Sequence, residues 1–290
     1  MWFSASQARQ CSGVAKKRGA VMDGTRGWRH LHPQICKGSA LGVASAIRQL
    51  GDRLNRSILS LIGLQLDKAY LATDVPGPTR LTAHATFADR VVEAGDKPGY
   101  RILEIGSREV AGGPPMRGRL SHADYVGFDY YPGPNVDVSG DAHRLADLVE
   151  GRFDVVYSTA VFEHLAMPWV VAEEIARVLK PGGLVFVETH FSYSSHERPW
   201  HFFQFSDMGL RALFSPALGF ECVEAAMQNP IVGRFSAYAD AYLRFQPVRA
   251  LYCHSNVVAR KVRDVTDFRW RDAALEAVAG ATAYPTPVNP

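Results

Sequence analysis

Four short stretches carry residues with chemical potential. In "YRILEIGSREVAGG", Glu104 and Gly106 bracket a turn that follows an apolar run, with Ser107 next to it. A glycine there lets backbone approach a ligand closely. In "YVGFDYY", Asp129 ends another apolar run and is followed by Tyr130 and Tyr131. Its carboxylate can accept two hydrogen bonds from a vicinal diol such as a ribose. In "GDAHRL", Asp141 can accept from an exocyclic amine, and the Ala142 amide can donate to a ring nitrogen. Ser158 closes "FDVVYS". Each signal is weak alone, since an acid after an apolar run is often only a helix cap.

Four histidines are candidate general bases, because imidazole titrates near neutrality. His164 follows "STAVFE", and His190, His196 and His201 lie in or after "LVFVETH". The two carried forward as catalytic are His164 and His201. Packing or capping is the plainer role, with His164 expected to begin a helix. A metal site built on His196 and His201 is not expected, for no acid or cysteine stands at ligand spacing from that pair. Trp200, Phe202, Phe203 and Phe205 read either as core or as an apolar wall beside a substrate.

These stretches must be held by regular elements. Apolar, β-branched runs with little alternation predict strands covered on both faces. They fall at Arg101–Ile105, Tyr125–Asp129, near Val136–Val138, at Phe153–Ser158 and at Leu184–His190. Helical patterns occupy Leu81–Gly95, about Trp169–Leu179 (stopped by "KPGG") and about Asp207–Phe214. Two more strands are expected at Gly219–Ala226 and Leu251–Val262. Such alternation predicts an α/β, doubly wound, mostly parallel sheet, in which ligands gather at the carboxyl ends of the strands. All four stretches fall at such ends.

The chain has 290 residues with 32 Lys/Arg, 29 Asp/Glu and a formal net charge of +3. Ten basic and two acidic residues lie in 1–60, so the remainder is net acidic. That argues against nucleic-acid binding by the whole chain. The expected organisation is a disordered basic tail over 1–42, a helical extension or cap over 43–95, the main domain over 96–265, and a C-terminal helix and tail over 266–290. Within the extension, Ile47, Leu50, Leu54, Ile58, Leu61 and Ile62 form one helical stripe. It fits a cap on the domain, a peripheral membrane contact or a pairing face. No apolar run is long enough to span a membrane. Cys11, Cys36, Cys222 and Cys253 form no C-x-x-C pair. Buried free thiols and a cytoplasmic setting are therefore expected.

In combination, "ILEIGSR", "YVGFDYYPGPNVDVSGDAHRL", "FDVVYSTAVFEHLAMPWVVAEEIARVLKPGGLVFVE" and "HERPWHFFQFSDMGLRALF" resemble the class I S-adenosylmethionine-dependent methyltransferases. The resemblance covers about Tyr100–Ala226. It implies a Rossmann-like sheet of seven strands whose last strand is antiparallel. It also implies that Glu104, Gly106 and Ser107 line the methionine end of the cofactor, with Ser158 near its amino-acid moiety. Asp129 would hold the ribose, and Asp141 and Ala142 would contact the adenine. Apart from the resemblance, Tyr130 or Tyr131 reads either as a ring covering the adenosine or as an exposed loop tyrosine. The implied activity is methylation of oxygen or nitrogen in a small-molecule or glycan-type acceptor. A catalytically silent binding module is the alternative. The sequence departs from the commoner family pattern at Arg108, where glycine is usual. A nicotinamide dinucleotide would need G-x-G-x-x-G to cradle its pyrophosphate, and "GSREVAGG" does not supply it.

Overall fold

The computed structural model describes Leu54 and residues 84–110 and 115–280. Expectations for the basic tail, the apolar stripe other than Leu54, and the last ten residues lie outside the described residues. All described residues but Leu54 fall within one unit, Ile58–Pro290.

In chain order the elements are α1 (His84–Gly95), β1 (Arg101–Ile105), β2 (Asp124–Asp129), β3 (Val138–Ser139), α2 (Leu145–Leu148), β4 (Phe153–Thr159), α3 (Pro168–Val178), β5 (Leu179–His190), α4 (Asp207–Leu213), β6 (Phe220–Pro230), β7 (Gly233–Arg234), β8 (Pro247–Val248), β9 (Tyr252–Lys261) and α5 (Leu275–Ala279). Seven strands form one sheet in the order β3-β2-β1-β4-β5-β9-β6. β1 runs parallel to β2 and β4, and β4 parallel to β5. β9 runs antiparallel to both β5 and β6. The doubly wound sheet with a reversed last strand is therefore present, and β7 and β8 add a small hairpin that the sequence pattern did not signal.

The sheet is covered on both faces, as the unalternating strands require. Ile102 and Val155 are register partners and meet Phe87 and Val91 of α1 on one face. Leu103 and Val156, the next pair, meet Val171 and Ile175 of α3 on the other. From β1 the chain first builds β2 and β3 to one side. It then returns to β4 and builds the other side, so strand order reverses between β1 and β4. A ligand crevice is expected outside such a switch point.

Three local expectations are corrected. β4 runs to Thr159, so Ser158 is a buried strand residue and not the strand's last. His164 does not begin a helix. It ends a 3-10 turn, Phe162–His164, and α3 starts at Pro168, where the fixed ring geometry of proline suits a first helical position. Cys222 and Cys253 are free thiols but only half-buried, because one lies on edge strand β6 and the other near the start of β9. Among the described residues no helix is long and apolar enough to cross a membrane.

Candidate active site

The turn after β1 is closed by backbone. Gly106 N and Ser107 N both donate to Phe128 O, at 2.8 and 3.1 Å. Gly106 has φ +88°, and a Cβ there would lie 2.3 Å from Val161 Cγ2. Only glycine meets both demands. Ser107 is buried, and its hydroxyl and that of Ser158 have no hydrogen-bond partner. Its carbonyl accepts from Asn135 Nδ2 at 2.9 Å.

Glu104 lies behind this turn. The Tyr125 hydroxyl donates to its Oε2, Asn135 Nδ2 donates to that same hydroxyl, and Arg117 covers the Tyr125 ring. Burial pushes the Glu104 carboxyl up to about 7, and the opposing pull of Tyr125 and Arg117 does not cancel it. An unfolded glutamate titrates near 4.3, so the folded chain holds an extra proton between about pH 4.5 and 7. Stability from this group is therefore full below the unfolded pKa and is lost as pH rises towards 7. Glu104→Gln escapes that loss. In urea titrations the variant should gain on wild type by about 2–3 kcal/mol between pH 4.5 and 8. A difference that stays flat with pH would show that Glu104 titrates normally.

Asp129 ends β2 with little exposure, and its carboxylate already has protein partners. It accepts from Arg108 N at 3.3 Å, from Arg108 Nε at 3.2 Å and from Tyr131 N at 3.0 Å. The Arg108 guanidinium also lies 5.8 Å from the centre of the Tyr131 ring. Arg108, the departure in the first motif, thus turns towards the residue expected to read a diol. Tyr130 is exposed and packs edge-on against Tyr131.

Asp141 sits just after β3. It accepts from His143 N at 3.0 Å, and His143 Nδ1 lies 2.6 Å from the same oxygen. Burial opposes ionisation of Asp141, but His143 outweighs it and holds the carboxyl below its ordinary range. The other ring nitrogen, Nε2, accepts from Met167 N at 3.2 Å, tying this turn to the start of α3. Ala142 is buried beside it. His143 went unnoticed in the sequence, although it stands two residues after Asp141, where the amide of a turn meets its cap.

The histidines gather at the same edge of the sheet. His190 ends β5 and meets His196 at 5.3 Å between ring centres, and His164, His196 and His201 pack against one another at 4.6 to 5.8 Å. His164 Nδ1 lies 2.6 Å from Trp200 O, which fixes the proton on Nδ1 and leaves Nε2 bare. His201 is arranged oppositely, with Nδ1 accepting from His196 N at 3.2 Å. Burial and the neighbouring imidazoles hold His201 below the usual histidine range. The geometry therefore favours His164 over His201 as a proton acceptor.

Glu163 lies at the centre of this group and was missed in the sequence. Its side chain is fully buried, with Thr189 Oγ1 donating to Oε2 at 2.6 Å. Burial opposes its ionisation, but His190 and Thr189 together hold the carboxyl below its ordinary range. Glu163 O also accepts from Phe202 N and Phe203 N, which pins the aromatic segment across the strand ends. That segment divides. Phe205 enters the core, whereas Trp200 and Phe202 are exposed. Two clefts, of about 430 and 610 Å³, open elsewhere, beside Arg90 and Arg260 and beside Met208 and Cys222. Neither includes the acids at the strand ends, where the side-chain chemistry is concentrated.

A model of a methyltransferase domain matches residues 115–187, which span β2 to β5. Asp129 and Asp141 lie within the match, and the turn after β1 lies just before it. Residues 115–187 are thus similar to a methyltransferase domain. The domain is similar to an uncharacterized methyltransferase of Mycobacterium bovis, at 31% identity over 135 residues, covering 46% of this chain and 48% of the relative. It is also similar to the ubiquinone biosynthesis O-methyltransferase of Maricaulis maris, at 31% over 124 residues, covering 36% and 46%. The chain thus spans about half the length of the curated relatives it matches. Among solved structures it resembles a Burkholderia thailandensis 1,6-didemethyltoxoflavin-N1-methyltransferase at 15% identity and a TM-score of 0.43, covering 61% and 77% of the two chains.

Proposed function

We propose that this methyltransferase domain uses S-adenosylmethionine to methylate oxygen or nitrogen in a small-molecule or glycan-type acceptor. The observation that carries the reading is the state of the first turn. The amides of Gly106, Ser107 and Arg108 are all directed to Phe128 O or Asp129, so none is turned out to cradle a pyrophosphate. A cofactor without phosphate suits that turn, and a dinucleotide does not. The acids also fit. Asp129 can accept from ribose hydroxyls, and a bound ammonium would draw Glu104 back to its ionised form.

When bound, S-adenosylmethionine supplies the methyl group and a neutral thioether leaving group. The protein aligns the acceptor in line and keeps water out. Trp200 and Phe202 offer apolar cover next to the histidines. His164 Nε2 is the nitrogen free to take an acceptor proton, and Trp200 O holds its ring. Glu163 and Glu197 lie 3.9 and 4.0 Å from that nitrogen and would stabilise the imidazolium formed. Similarity to the Maricaulis O-methyltransferase supports oxygen as the acceptor atom. The half-buried free thiols support a reducing, cytoplasmic setting.

The test is turnover of methyl-labelled cofactor against phenols, sugar hydroxyls and amines. Label should appear in one class, with His164→Gln lowering kcat about 10²–10⁴-fold. Cofactor binding without transfer to any class would favour the silent-module alternative.

A further inference from the structure

The group formed by Glu163, His190 and His196 has a chemistry that acid–base catalysis leaves unexplained. One ligand atom from each of the three lies within 4.8 Å of the others. Glu163 and His190 are both buried. Glu163 Oε1 and His190 Nδ1 pair at 2.6 Å inside the fold.

The surroundings orient donors inward. Thr189 Oγ1 donates to Oε2 of Glu163, which leaves Oε1 facing the imidazoles. His196 Nδ1 lies 2.9 Å from Ser194 O, which places its proton there and leaves Nε2 bare. Hydrogen bonds of this kind, from the second ring nitrogen to a carbonyl, are how proteins set the tautomer of metal-binding histidines. Tyr193 stacks on the His190 ring at 4.5 Å and restricts its rotation. A further bare nitrogen, His164 Nε2, lies 3.9 Å from Glu163 Oε1.

We propose that Glu163, His190 and His196 form a binding site for a first-row divalent cation of the zinc type. Two imidazoles and one carboxylate suit Zn²⁺ or Co²⁺, whereas Mg²⁺ and Ca²⁺ favour all-oxygen sets. Three protein ligands leave a coordination position open, as in catalytic zinc sites. An acceptor hydroxyl bound there would lose its proton more readily. That role rests on the methyl-transfer reading, whereas the cation site itself does not.

The experiment uses the full chain, freed of any histidine tag and stripped with chelator. It is titrated with Zn²⁺ by calorimetry and with Co²⁺ by visible absorption. Wild type should take up one equivalent, and the Co²⁺ spectrum should report nitrogen–oxygen coordination in a low-symmetry site. His196→Ala and Glu163→Gln should each weaken binding at least about tenfold, since even supporting partners of metal ligands count for ~10–100-fold. His122→Ala alters an exposed histidine outside the group and should leave binding unchanged. If Glu163→Gln fails to fold, the half-exposed His196 still decides the matter. No stoichiometric binding, or binding that His196→Ala leaves intact, overturns the proposal. Either result leaves S-adenosylhomocysteine binding, measured separately, to judge the cofactor reading.

Discussion

Asp129→Ala should weaken S-adenosylhomocysteine binding on the order of 100-fold. Two hydrogen bonds from ribose hydroxyls to a carboxylate are together worth about 3 kcal/mol, since bonds to charged groups are the stronger kind. That energy corresponds to about two decades in Kd. The same carboxylate is engaged by Arg108 Nε at 3.2 Å, so arginine and ribose compete for it. The Arg108 side chain is about one-third exposed, and such pairs contribute at most ~1 kcal/mol. Arg108→Ala should therefore tighten binding by about two- to fivefold. The two variants move calorimetric affinity in opposite directions. If Arg108→Ala weakens binding as Asp129→Ala does, the arginine supports the cofactor rather than competing with it.

The second large effect is on stability. Gly127 lies in β2, opposite Glu104 in β1. A Cβ on Gly127 would stand 2.1 Å from the Asn135 carbonyl oxygen and 2.8 Å from Ser107 Oγ. The first of these is backbone and cannot swing aside. Asn135 would have to move, and it holds Ser107 O and the Tyr125 hydroxyl through Nδ2. Gly127→Ala should cost about 2–4 kcal/mol from overpacking and lost hydrogen bonds. That is a fall in Tm of roughly 5–15 °C for a domain of this size. Gly118→Ala is the control, since a Cβ there meets only Pro115 Cγ at 4.0 Å. Equal melting of the two variants would mean that the β2–Asn135 contact is looser than described.

Much of the fold is legible from pattern, because the strands are buried on both faces and show it as unbroken β-branched runs. "YVGFD" and "FDVVYS" place Asp129 and Ser158 within a residue of their strand ends for this reason. The apolar pattern starts α3 one residue late, at Trp169 instead of Pro168, and joins His164 to a helix it precedes. Side-chain partnerships were not legible. Arg108 and Asp129 meet only because a parallel crossover returns β2 beside β1. Glu163 carries no local signal, since its partners His190 and Thr189 come from the end of the next strand. Sequence spacing tests ligands on one element, and here they converge from three segments.

The most direct measurement is calorimetric titration of the full chain with S-adenosylhomocysteine, run beside NAD at equal concentration. One saturable site for S-adenosylhomocysteine is expected, about 100-fold weaker in Asp129→Ala, with no heat from the dinucleotide. Wild type that stays silent to millimolar S-adenosylhomocysteine, or that binds NAD instead, would contradict it.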